Sequence, residues 1–174
     1  GEPKGIWHGR GVERLGLEGE IIDGEFLRIM AGLHPRARGE VHLGLPYTDD
    51  SVRGFDVTAS APKSVSTLFA IGDDKTRSQV LAAHDAAVGT VVDWIETHAH
   101  TRYRINGEVS IVDAEGIIAA TFRQHTSRAL DPQLHTHIVI ANRVRSPDGR
   151  WLALDARSLK MDQRTLSAIY HATL

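Results

Sequence analysis

The alternation of apolar and polar positions is clearest in Gln133-Leu-His-Thr-His-Ile-Val-Ile-Ala-Asn142. There Leu134, Thr136, Ile138 and Ile140 fall on one face of a strand and His135, His137, Val139 and Ala141 on the other. A second strand is read over 54–60, with Phe55, Val57 and Ala59 on one side and Asp56, Thr58 and Ser60 on the other. Strands are also expected over 109–113 and 117–125, joined by Ala114-Glu115-Gly116. The histidine strand, continued to 145, is expected to turn through Ser146-Pro-Asp-Gly-Arg150 into a strand over 151–155. That makes two hairpins with turn residues at their tips.

The helical period is strongest over 74–98, where Val80, Leu81, His84, Ala87, Val88, Val91, Trp94 and Ile95 form one apolar stripe. Ala61-Pro62 opens a shorter helix through Val65, Leu68 and Phe69, because proline loses nothing in a first helical turn. Short helical patterns occupy 12–17 and 23–31. A Gly/Pro/His/Arg-rich stretch over 32–47 reads as an extended connection, and Leu159, Leu166, Ile169 and Tyr170 space a closing helix within 156–174. Five strands and about four helices give an α+β class, with helices packed on a mainly antiparallel five-stranded sheet.

Composition narrows the chemistry. A chain of 174 residues, 41% hydrophobic and 24% charged, buries one core and is expected to form one domain over 1–174. The opening Gly1-Glu2-Pro3 without a methionine and the stop inside a helix suggest a piece of a larger multidomain protein. Zero cysteines exclude disulfides and thiolate metal sites, and no signal peptide or spanning apolar run is present. A cytoplasmic location without membrane insertion is the expectation. A net charge of −2 argues against a broad basic nucleic-acid footprint, so any DNA contact must be local.

His135 and His137 lie two residues apart on a strand, so both imidazoles project from one face and can grip one cation. The preceding segment, Arg123-Gln-His-Thr-Ser-Arg-Ala-Leu-Asp-Pro-Gln133, offers a third donor and two guanidinium groups. A metal beside arginines suits a phosphodiester.

Three segments carry a resemblance to a known family: Gly54-Phe-Asp-Val-Thr-Ala-Ser-Ala-Pro-Lys-Ser-Val-Ser66, Thr126-Ser-Arg-Ala-Leu-Asp-Pro-Gln-Leu-His-Thr-His137 and Asp148-Gly-Arg-Trp151. In order and spacing they resemble the relaxase domain of MobF-class conjugative relaxases, members of the HUH endonuclease superfamily. The likeness runs from Trp7-His-Gly-Arg-Gly11 to the final helix. It implies a palm-like, RRM-related sheet and a nickase that cuts one strand of single-stranded transfer-origin DNA, remaining joined to the 5′ phosphate through a tyrosine.

By position, the resemblance makes His135 and His137 two of three metal-binding histidines, and Asp56 the acidic residue beside the metal, which orients a histidine or assists as a base. Lys63 and Arg128 are candidates for phosphate contact. The implied metal is Mg or Mn, although the nitrogen ligands also admit Zn, Ni or Co. Implied partners are accessory relaxosome proteins and a type IV secretion system, in a bacterial cytoplasm.

The chain departs from the family pattern twice. The third ligand position holds Gln124, with His125 next to it. Alignment favours Gln124, while ligand chemistry and the polar parity shared with Thr121 and Arg123 favour His125. Strand alternation sends the two to opposite faces unless a bulge intervenes. Second, the family carries its nucleophilic tyrosines upstream of the Trp7 segment. Tyr47, Tyr103 and Tyr170 match no nucleophile position and are expected to pack. Three readings follow: a relaxase nickase, a silent single-strand-binding module of the same fold, and a metal phosphodiesterase that needs no tyrosine.

Overall fold

The computed structural model describes residues 2–157, 159 and 163–174. Strands β1 (Ile6–His8), β2 (Gly54–Ser60), β5 (Ala119–Thr126) and β6 (Pro132–Ala141) form a four-stranded antiparallel sheet in the order β1-β5-β6-β2. Helices α3 (Lys63–Ile71), α4 (Asp74–Thr97) and α5 (Gln163–Thr173) cover one face. Helices α1 (Arg10–Arg14) and α2 (Glu25–Met30) lie on the other side, over the β1–β5 end. The α+β class expected from the pattern is what forms, and among the described residues no helix is long and apolar enough to cross a membrane.

Local chemistry accounts for the elements. The Asp73 side chain accepts a hydrogen bond from Thr76 N at 2.8 Å and caps α4, satisfying one of the donors that every helix start leaves open. The apolar stripe of α4 is buried at Val80, Ala87, Val88, Val91, Val92 and Ile95. Val80 packs with Ala61 and Leu134, and the rest of the stripe meets Ala59, Ala119, Ile138 and Ile140 from the sheet and Leu166 and Tyr170 from α5, in the larger of the two main cores. A second core gathers Trp7, Val12, Leu15, Leu17 and Ile29 over Ile118, Ala120 and Ala141. The motif Trp7-His-Gly-Arg-Gly11 owes its glycines to close approach. Gly9 has a φ of +102°, a Cβ on it would strike the Ile117 carbonyl oxygen, and Gly11 N donates to that same oxygen at 2.9 Å.

Two expectations need correction. Strand β4 (Glu108–Asp113) pairs with β3 (His100–Ile105), and not with the segment after Gly116. Asn106 and Gly107, at φ 51° and 86°, supply the two-residue left-handed turn that matches strand twist. The main sheet among the described residues therefore has four strands where five were expected, with β3–β4 a separate ribbon. The histidine strand also stops at Ala141. The Arg143 guanidinium, face-on to Tyr47 at 3.9 Å and bonded to the Leu43 carbonyl, diverts the chain before β7 (Val144–Arg145) pairs with β8 (Trp151–Leu152). That last pairing keeps the second expected hairpin in shortened form. Some of the expected closing helix, at 158 and 160–162, lies outside the described residues.

Candidate metal and DNA site

On β6 the two cores divide the sheet unequally. Leu134, Thr136, Ile138 and Ile140 all face the α3–α4–α5 side and are fully or almost fully buried. On the opposite face the second core covers Ala141 but stops short of His137 and His135. Register places Thr58 beside His137 and Ser60 beside His135, while Gln124 lies beside His135 from β5. These residues, with Thr126, Ser127, Arg128 and Gln133, line an open concavity of about 560 Å³.

Each histidine of the pair is anchored through one nitrogen. His135 Nδ1 donates to the Gln133 carbonyl at 3.0 Å, and the Asp56 carboxylate accepts from His137 Nδ1 at 2.8 Å. An imidazole that donates through Nδ1 carries its lone pair on Nε2, so both rings present a nitrogen acceptor. The ring centroids are 5.3 Å apart. Asp56 thus fixes the tautomer of His137.

The choice between Gln124 and His125 turns on geometry. A register irregularity falls between Gln124 and Thr126, yet the two side chains remain on opposite sides of the sheet. Gln124 shares the histidine concavity. His125 packs against Phe69 of α3 with ring centroids 4.9 Å apart; its Nε2 is buried without a partner among the described residues, and burial followed by Arg123 lowers its pKa. The parity His125 shares with Arg123 places it on the helix side. Arg123 reaches Asp85 of α4 at 2.5 Å, so its side of β5 is the helix face.

Among the described residues no three His, Asp or Glu side chains converge as a metal cluster, and the donor set here is two imidazoles with an amide. It fits a cation, since two free nitrogens and an amide oxygen share one concave face. Lys63 Nζ donates to the Pro132 carbonyl at 3.1 Å and borders the adjoining hollow with Ser127 and Asp131. Arg128 lies on the rim. Thr58 and Ser60 also line the concavity, and their parity with Asp56 is the signal in the sequence that marks them.

No tyrosine lines this concavity among the described residues. Tyr47 stacks on Arg143, Tyr103 donates to Asp148 at 2.8 Å, and Tyr170 is buried on the far face. There Tyr170 and Thr136 flank His84, with 2.7 Å hydrogen bonds to Nδ1 and Nε2 respectively. Burial, the dominant cause, lowers the His84 pKa to about 4. Trp94 stacks on His98 at 3.9 Å, and Trp7 is buried with its indole N–H on Glu25.

The TrwC relaxase family model matches residues 1–174. The chain belongs to the TrwC relaxase family. The relaxase is 37% identical over 150 residues to the Multifunctional conjugation protein TraI of Escherichia coli, and 38% identical over 153 residues to TraI of strain K12. It spans 86% of its own length and 8% of theirs in these matches. Among solved structures, conjugative relaxase TrwC bound to oriT DNA in a copper-bound form superposes with a TM-score of 0.86 at 37% identity, covering 98% of this relaxase and 57% of the solved TrwC chain. A metal-bound TrwC complex with oriT DNA superposes at 0.85 with 38% identity, covering 97% and 57%.

Proposed function

We propose that this relaxase chain binds single-stranded DNA at a conjugative transfer origin and contributes the metal centre that cuts one strand by transesterification onto a tyrosine. The observation that carries this reading is the anchored pair: His135 and His137 present Nε2 into one concavity while Asp56 and the Gln133 carbonyl hold Nδ1. TrwC, the similar solved protein, is described with metal and with oriT DNA, which supports the same ligands here.

In this reading His135, His137 and the Gln124 amide oxygen hold a divalent cation, Mg or Mn by preference, since an amide oxygen in place of a third imidazole favours a harder ion. The cation, when bound, offsets charge on the non-bridging oxygens of a scissile phosphate and polarises its phosphorus. Asp56 keeps His137 in the ligand tautomer. Arg128 and Lys63 supply positive charge to flanking phosphates, which raises affinity without reading sequence. The nucleophile is a tyrosine other than Tyr47, Tyr103 and Tyr170. Accessory relaxosome proteins, a type IV secretion system and a bacterial cytoplasm complete the reading.

The test is a denaturing gel of the full-length protein with a labelled transfer-origin oligonucleotide and Mg or Mn. A covalent 5′-phosphotyrosyl adduct is expected. Binding without cleavage would leave a silent single-strand-binding module, and free ends without adduct would indicate a hydrolytic phosphodiesterase.

A further inference from the structure

The loop between β5 and β6, residues 127–131, holds an apolar side chain in water at a conformational cost. Leu130 has a φ of +64° and is 82% exposed. Left-handed backbone is disfavoured for a residue with a branched side chain and persists only where the surroundings impose it. Ser127 imposes it here. Its N–H donates to the Asp131 carbonyl at 2.9 Å, its carbonyl accepts from Leu130 N at 2.9 Å, and its Oγ accepts from Ala129 N at 3.1 Å and Asp131 N at 3.3 Å. Lys63 fastens the foot of the loop through the Pro132 carbonyl.

An exposed leucine alone is ordinary. This one is set in a self-braced turn whose Ser127 and Arg128 line the rim of the histidine concavity. A rigid aliphatic group next to a phosphate-binding guanidinium matches the chemistry of proteins that pry neighbouring bases apart with an apolar wedge while cations hold the backbone. We infer that Leu130 packs against an unstacked base of the single strand lying across His135 and His137, opening the stack next to the phosphate to be cut. This inference rests on the single-strand reading above.

The experiment uses a set of transfer-origin single strands, each carrying one 2-aminopurine at a different position, titrated into the protein. 2-Aminopurine brightens when unstacked. The unaltered protein is expected to brighten the probe at one or two positions, whereas Leu130→Gly, which also relieves the left-handed strain, keeps the thermal midpoint, loses the brightening and binds about fivefold more weakly. Leu130→Phe restores both signals. Arg128→Gln weakens binding and flattens its salt dependence but keeps the brightening at saturation. Equal brightening and affinity in Leu130→Gly and the unaltered protein would overturn the wedge while leaving the single-strand reading intact. Failure of the unaltered protein to bind any of the probes would overturn both.

Discussion

The two sides of β6 carry histidine chemistry of opposite kinds. Toward the helices, His84 meets Thr136 and Tyr170 with both ring nitrogens engaged and no exposed surface. Toward the concavity, His135, itself largely buried, and the half-buried His137 each commit Nδ1 to a partner, and no hydrogen bond engages Nε2 among the described residues. A histidine whose two nitrogens are both satisfied in a core is a structural strut. One that is anchored by a single nitrogen on an open face is poised for a ligand. The distinction lies in what the second nitrogen meets, and sequence spacing alone does not reveal it.

That contrast can be broken from either side. The largest effect is expected from His84→Ala, which leaves the Tyr170 and Thr136 hydroxyls without their partner and opens a hole under the sheet. A loss of about 3–5 kcal/mol in urea denaturation is expected, and under about 1 kcal/mol would show that the network carries little.

The same residue makes stability depend on acid. The folded His84 pKa is about 4 against an ordinary 6.5, so below 6.5 the unfolded chain takes a proton that the folded chain refuses. Stability therefore falls as pH drops from about 6.5 towards 4, by roughly 3 kcal/mol in all. His84→Gln should flatten that slope in denaturation curves taken across the window.

On the open face the expected pattern is reversed. His135→Ala should lower manganese affinity at least about a hundredfold by calorimetry while leaving the urea midpoint in chelator unchanged. A fall in that midpoint would make His135 a strut like His84. Asp56→Asn, which weakens the grip on His137 Nδ1, should cost about tenfold in manganese affinity. The smallest effect is expected from Gln124→His, which should tilt preference by about threefold from manganese towards zinc in competition titrations. A shift of the opposite sign in His125→Gln, from zinc towards manganese, would return His125 to the ligand set.

Much of this was legible in the chain. The strand at 54–60, the helix from Asp74 and the split faces of β6 follow from periodicity, because each is long and packs one side on a core. The strand over 109–113 is read from the chain but its partner β3 is not, because what sets their pairing is Asn106-Gly107, a turn signal with its own left-handed geometry. Strand β1, only three residues long, has too few positions to show a period.

The third donor stays open between Gln124 and His125 in the sequence for a different reason. Both faces of β5 are covered over Ala119–Ala120, one by each core, so polarity along that strand no longer indicates which side is open. Only the pairing of Gln124 with His135 settles which side chain joins the concavity.

The Thr136 hydroxyl has a consequence for assembly. A strand slipped by one residue would turn every side chain over, drawing imidazoles under α4 and expelling isoleucines into water. Within the apolar row of Leu134, Thr136, Ile138 and Ile140, Thr136 alone can satisfy His84, so the buried imidazole checks the phase of the strand. The helix layer thereby selects the one alignment in which the outward pair lines the concavity.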